Sequence, residues 1–421
     1  MATLAPSYDS TSRPPSFYRP WFLANSSRFG KVFRTHILGK PIIISTDAEV
    51  NKVVLQNADR AFVPSYPKSV IEVMGRTSIL QMRGDYHKRV HGIVSKFLKS
   101  TPLLERVQDD MLKAMNLAFS TWKHSNKKIY IQDETNKITF ELLLQILLGT
   151  DPGSQETDFL TKEFMELIKG IICIPVIFPG TTLYKSLKAK ERMANLITEM
   201  IRDKVESGAY KALQYFIDVL IDEFYDAKDQ ATSDLICNMI IEMMIPGSDS
   251  VPMIMTLAIK HLGDYPDTLK QILEENMELK RRKEEAGESY EWSDYLSLSF
   301  TQNVINETLR MANIVNSVWR KAEKDVEIKG HLIPEGWSIA ASFSSVHFDE
   351  ENYENPFEFS PSRWDNKGGI NQSTFTPFGG GQRLCPGYVL AKVEISIFLH
   401  HFLTSFRDNL KRLSWWPSKR N

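Results

Sequence analysis

Three cysteines in 421 residues, at 173, 237 and 385, are too few and too scattered for a disulfide framework or a four-ligand zinc site. That scarcity suits a reducing compartment. Net charge is equally scarce: Lys+Arg 51 against Asp+Glu 52 leaves −1, so total charge offers no electrostatic case for nucleic acid or an anionic membrane. Long apolar runs are missing too. The greasiest stretch, IICIPVIF at 171–178, is interrupted by Pro175 and falls far short of the ~18 residues of a spanning helix. The N-terminus, MATLAPSYDSTSRPPSFYRPWF, places Pro and Ser where a signal peptide needs an unbroken apolar core, and reads as neither a secretory nor a transit peptide. With no repeat, low-complexity block or Gly/Ser linker, the chain reads as one large domain, soluble or at most peripheral.

Apolar residues make up 42% of the chain, with 23 Phe, 14 Tyr and 8 Trp, enough for a buried core and too much for wholesale disorder. Residues 28–46 alternate around Gly39-Lys40 and predict a hairpin. From about 47 to 310 the apolar spacing is mostly helical. After Arg310 short β-type runs are punctuated by Gly330 and Pro334-Glu335-Gly336. A Pro-, Asn- and Gly-rich loop spans 352–387, and YVLAKVEISIFLHHFLTSF predicts a final amphipathic helix. The expected architecture is mainly α, with a small sheet at each end of the chain.

The most informative segment is TPFGGGQRLCPGYVLAKVE, where Phe378, Gly381, Arg383, Cys385 and Gly387 fall in the order F-x-x-G-x-R-x-C-x-G. Three successive glycines let backbone approach a flat ligand. Pro386-Gly387 sets Cys385 just before a helix N-terminus, where amide donors and the helix dipole favour the metal-ligating thiolate. Arg383 stands two residues away, in reach of an acidic group on the same ligand. A second motif, INETLR, puts Glu307 and Arg310 three apart on one helix face. Alone, that is an ordinary surface pair worth ~0.2–0.5 kcal/mol. With Arg363, in FEFSPSRW, it becomes a candidate buried charge network.

A third segment, 235–262, is helical in character yet carries Pro246-Gly247 and Pro252 in its middle, with Asp249-Ser250 between them. Two readings are open: one helix whose opened ladder can hold water or a diatomic ligand, or two helices meeting at Pro246. His87 and His91 lie on a helix start among Lys88, Arg89, Lys96 and Lys99; the histidines are candidates for carboxylates and the lysines read as a solvated face. Arg320, beside Trp319, is a surface arginine by default and a carboxylate partner by alternative.

These motifs occur in the order found in cytochrome P450 monooxygenases, and the chain resembles that family over about residues 8–407. Stretches such as MMIPGSDSVP, SDYLSLSFTQNVINETLRMAN and TPFGGGQRLCPG are most similar to the plant branch that hydroxylates brassinosteroid precursors, and within it to enzymes acting on carbon 23 of the side chain. The resemblance implies a single large haem-binding domain of the cytochrome P450 fold at 28–407, between a 1–27 segment lacking the usual membrane anchor and an atypical 408–421 tail. It makes Cys385 the axial ligand of haem b iron, with Phe378 packed on its sulfur and Gly387 in the same loop. Glu307, Arg310 and Arg363 become the structural network, and Arg383, Arg320, His87 and His91 candidate propionate partners. Asp249 and Ser250 take the acid–alcohol place that feeds protons to bound dioxygen, although the family's usual alcohol there is threonine and its small residue before Gly247 is not proline.

The resemblance further implies O2 and a steroid as substrates, electrons from NADPH through a separate reductase, and the cytosolic face of the endoplasmic reticulum membrane; no nucleic-acid partner is expected. No dinucleotide fingerprint follows a strand in the chain, which fits a separate reductase. Met243, Met244, Ile245, Ile314, Val315 and Val318 are expected to face an apolar, rigid substrate, with Asn313 and Asn316 as the nearest polar groups. Oxidation of the neighbouring side-chain carbon, or of another plant isoprenoid, is the alternative activity. The ending DNLKRLSWWPSKRN does not resemble the family's last hairpin, so the chain is expected to fold around haem yet work poorly.

Overall fold

The computed structural model describes residues 25–26, 28–37, 40–75, 77–124, 129–365 and 373–406. The chain forms two compact units: one gathers the residues up to Ser65 with Leu309–Cys385, the other Tyr66–Thr308 with the residues from Pro386 onward. The tip of the predicted hairpin, the 1–24 part of the N-terminal segment and the 408–421 tail lie outside the described residues.

The first unit is built on a sheet. Its strands are β1 (Val32–Ile37), β2 (Lys40–Ser45), β3 (Phe62–Pro64), β4 (Ser317–Ala322), β5 (Val326–Ile328), β6 (His331–Ile333) and β7 (Ser338–Ser342). β1 and β2 form the predicted antiparallel hairpin, with Val32 opposite Ser45. The expectation of one sheet at each end is corrected: strands from both ends interleave in the order β1-β2-β7-β4-β3, with β5–β6, among the described residues, as a separate pair. The reason lies in the run Ile42, Ile43, Ile44, each at most 2% exposed. A strand buried on both faces needs a neighbour on each edge, and β2 finds β1 on one side and, in parallel, β7 on the other. Period-two alternation sends Ile43 to a cluster with Val50, Val54, Phe62, Ile339 and Ala341, and Ile42 and Ile44 to the opposite face with Phe33 and Ala340. Truncating Ile44, which is fully buried, to alanine would cost ~2–5 kcal/mol. After β2, Asp47 caps the helix Ala48–Gln56, accepting from the amides of Glu49 and Val50, both at 2.9 Å.

The second unit is helical. At its centre Gln230–Asp264 is one continuous helix with Pro246 and Pro252 inside it, which closes the two-helix reading. It packs on the helices Ile131–Leu148, Thr182–Ser207 and Tyr388–Phe406. Gly247 lies in the first of these contacts, where a Cβ would come 2.8 Å from Leu143 Cδ2 and push that side chain aside. Each proline lacks an N–H, so the carbonyls of Glu242 and Ser248 lose their usual donors four residues on. Tyr388–Phe406 is not the expected amphipathic helix: its buried residues include Val393, Glu394, Ile395, Ser396, Ile397, Phe398 and Leu399, one after another around the axis. It is a core helix. Among the described residues it alone is long and apolar enough to cross a membrane, a property that such burial within a fold also produces.

Candidate active site

The Cys385 loop is held by its backbone. The Cys385 amide donates to the Phe378 carbonyl at 3.0 Å, closing the loop around the intervening glycines. Gly379 and Gly381 have φ of 76° and 65°, the left-handed region that glycine enters without strain. At Gly381 the need is double, because a Cβ would overlap the Leu55 carbonyl at the end of the Ala48–Gln56 helix. The next helix begins at Tyr388, three residues beyond Cys385, as the motif predicts.

Arg383 is nearly buried and donates from one Nη to both oxygens of Asp59, at 3.0 and 3.2 Å. Sequence reading did not foresee this carboxylate. Arg320, on β4, is not the default surface arginine: it is 3% exposed. One of its nitrogens donates to the Trp319 carbonyl at 3.0 Å, while its buried Nε has no hydrogen-bond partner and no carboxylate pairs with it among the described residues. A buried guanidinium without a counter-charge is costly. An anionic group such as a haem propionate would resolve it, so the residues present fit the cofactor that the resemblance implies.

Behind the loop, Arg310 is wholly buried and donates to the carbonyls of His347 (2.8 Å), Pro356 (2.7 Å) and Glu358 (3.3 Å). Arg363 donates to the Glu354 carbonyl at 3.0 Å and shares that of Glu358 at 3.3 Å, and both guanidiniums lie over the Tyr353 ring. Glu307, on the Ser299–Ala312 helix with Arg310, is 0% exposed, so neither member is an ordinary surface group. The two arginines rigidify the 347–358 backbone by filling its carbonyls with charge-assisted bonds. His347 was not singled out from sequence. It is buried between Asn313 Oδ1, 2.8 Å from its Nδ1, and the Thr376 amide, which donates to its Nε2 at 3.1 Å. Those partners fix the tautomer with the proton on Nδ1. Burial first, and then the Arg310 charge, push its pKa down to about 3. His347 thereby ties the arginine network to the residue two before Phe378, and Asn313, expected near substrate, is spent on this tie.

In the second unit, His87 is 2% exposed and His91 half-buried, their rings 5.4 Å apart one turn apart on the helix Gly84–Leu98. Their neighbours Lys88 and Lys96 face solvent, as expected. Asp249 is exposed, and the Ser250 hydroxyl donates to the Pro246 carbonyl at 2.6 Å. Of the substrate-facing expectations, Ile245, Ile314, Val315 and Val318 keep some exposed surface, while Met244 needs correction. Met244 is 0% exposed, consumed by helix packing, and Val318 packs against the sheet core beside Ala341.

The other cysteines are spoken for. Cys237 is buried beside Thr198, and burial pushes its thiol up to about 11, while Cys173 sits in a turn with its sulfur 3.2 Å from the Gly170 carbonyl. Among the described residues no cluster of three or more His, Cys, Asp or Glu could hold a metal ion.

The family model described as Cytochrome P450 matches residues 21–416. A 3-epi-6-deoxocathasterone 23-monooxygenase of Arabidopsis thaliana is 52% identical over 400 residues, 94% of this chain and 75% of the relative. A second Arabidopsis thaliana protein of that description is 46% identical over 384 residues, 90% of this chain and 77% of the relative. Among solved structures, the retinoic acid-bound cyanobacterial CYP120A1 superposes with a TM-score of 0.78 at 19% identity, covering 90% of this chain and 86% of that one.

Proposed function

Because the chain belongs to the cytochrome P450 family, we propose that it is a haem-thiolate monooxygenase that hydroxylates carbon 23 in the side chain of a C28 brassinosteroid precursor. The observation that carries the chemistry is the Cys385 loop, closed by the Phe378 carbonyl and seated on Leu55 through Gly381. The choice of substrate rests on the two 23-monooxygenase relatives.

When bound, haem b supplies dioxygen activation, with electrons from NADPH passed on by a separate reductase. Cys385 would ligate its iron, Phe378 would pack at the sulfur, and the unpaired Nε of Arg320 would meet a propionate. Arg383 carries its own counter-ion in Asp59 and holds the loop as much as any ligand, while His87 and His91 remain further carboxylate partners. Gly387 stands two residues beyond Cys385 in the same motif. Glu307, Arg310 and Arg363 keep the backbone behind the loop from moving. Asp249, open to solvent, takes up protons, and the Ser250 hydroxyl passes them on by letting go of the Pro246 carbonyl. Ile245, Ile314 and Val315 offer apolar surface to the steroid.

The chain's place is the cytosolic face of the endoplasmic reticulum membrane. Supporting this, Ile172, Ile174, Val176, Ile177 and Phe178 are 48–89% exposed in one short segment, an apolar patch that water does not favour. Replacing Ile174 and Phe178 by aspartate should reduce cosedimentation with phospholipid vesicles several-fold; undiminished binding would assign membrane contact elsewhere.

The deciding experiment pairs the carbon-monoxide difference spectrum of the reduced protein with turnover of 22-hydroxylated C28 steroids by the reductase-supplied chain. A thiolate band with a 23-hydroxylated product is the expected result. A thiolate band with product only at the neighbouring carbon would move the substrate assignment and leave the class intact.

A further inference from the structure

Glu242 lies on the Gln230–Asp264 helix, four residues before Pro246 and within the fold of the second unit at 3% exposure. A buried carboxylate without a job is expensive. Its job is visible at the turn of residues 78–80: Oε1 accepts from the Ser78 hydroxyl at 2.6 Å and the Leu80 amide at 3.3 Å, and Oε2 from the Ile79 amide at 2.9 Å. Just before that turn, Lys190 of the Thr182–Ser207 helix donates to the Met74 carbonyl at 3.1 Å. One side chain therefore joins the segment running into the Gly84–Leu98 helix to the helix that bears both prolines. The carbonyl of this same Glu242 is the one that Pro246 deprives of its donor. Side chain and backbone defect thus sit at one residue.

The two ends of this tether carry groups already assigned. The turn leads in a few residues to His87 and His91, and the helix leads to Asp249 and Ser250. We propose that Glu242 is a positioning residue for the oxygen chemistry: its carboxylate anchors the 78–80 turn to the helix at the proline defect, and so sets the acid–alcohol pair relative to the helix of the two histidines. The inference rests on the monooxygenase reading. Burial pushes the Glu242 carboxyl up and the Lys190 ammonium down, which marks both as groups removed from water.

The test uses the full chain with haem and reductase. Glu242→Gln keeps the shape but turns an amide N–H toward amide donors, so hydrogen exchange of the 78–80 amides should speed up about tenfold or more. Peroxide released per NADPH oxidised should rise several-fold, while the carbon-monoxide band and haem content stay near those of the unsubstituted chain. Ser78→Ala, which removes one donor and is easily tolerated by the fold, should shift both readouts the same way by less. Faster exchange with unchanged peroxide release would reduce Glu242 to a structural role and overturn the proposal. So would a rise in peroxide without faster exchange, or a loss of haem that accounts for all of it. The exchange and peroxide measurements need no steroid, so a wrong substrate assignment would leave this result standing.

Discussion

The Cys385 loop and the proline-bearing helix treat their backbones in opposite ways. Around the loop every element adds constraint: the Phe378 carbonyl is taken by the Cys385 amide, Gly381 sits where a Cβ would overlap the Leu55 carbonyl, two arginines fill the carbonyls behind it, and His347 accepts from the Thr376 amide. In the Gln230–Asp264 helix two prolines remove donors and a serine hydroxyl stands against a carbonyl. A metal ligand is useful when it cannot move; a proton relay is useful only when it can. The difference teaches where each kind of substitution should register, in haem binding for the loop and in turnover for the helix.

The largest effect should come from Gly381→Val. It forces a β-branched residue to φ 65° and against the Leu55 carbonyl, so we expect a stability loss of at least ~3 kcal/mol and little or no haem uptake. Cys385→Ala tests the same loop without strain and should abolish the thiolate band while the fold survives; persistence of the band with its loss in Cys237→Ala would place the ligand elsewhere. Smaller, and on the other side of the comparison, Asp249→Ala or Ser250→Ala should lower product formation by about 10²-fold with peroxide leakage raised and haem content unchanged. If either variant instead lost haem, the contrast between fixed loop and mobile relay would be broken.

The smallest effect is one of pH. His347 has a folded-state pKa of about 3 against 6.5 for the free group, so the folded chain binds fewer protons than the unfolded one between those values. Its stabilisation is complete above pH 6.5 and drains as pH falls, by about 2 kcal/mol between pH 7 and 5. Glu394 runs the other way: burial raises it to about 8, so its folded form holds a proton that the unfolded form has lost, and stability declines as pH rises from the carboxylate range toward 8. Melting temperature against pH should therefore flatten on the acid side in His347→Gln and on the alkaline side in Glu394→Gln. A curve unchanged in both would mean that other groups govern it.

Much of the loop was legible in the sequence because its chemistry is local: five fixed residue types in ten positions leave few alternatives, and Glu307/Arg310 lie on one turn of helix. The partners of those residues were not legible. Asp59 meets Arg383 across 324 residues, and Glu242 meets Ser78 across 164, separations at which no spacing rule operates. His347 lacked even a motif, since its value comes from what surrounds it. The fold class was readable from helical spacing, but strand pairing was not, because alternation gives a strand's faces and not its neighbours. The Tyr388–Phe406 helix was misjudged for a related reason: Ser396 and His400, one turn apart, look like part of a polar face, and packing buries them, and Glu394 on the other side, all the same.

The interleaved sheet has a consequence during synthesis. β2 emerges from the ribosome early, but its parallel partner β7 follows about 300 residues later, a wait of roughly a quarter of a minute to a minute at ordinary elongation rates. Through that interval Ile42, Ile43 and Ile44 present an apolar strand with one edge unmatched, the condition under which nascent chains stick to one another. Most of the helical unit is translated in between, but its core helix Tyr388–Phe406 follows β7 and Cys385, so neither unit has all its parts until the end of synthesis. Cells making this protein must therefore shelter its first strands long before there is any loop to receive a haem.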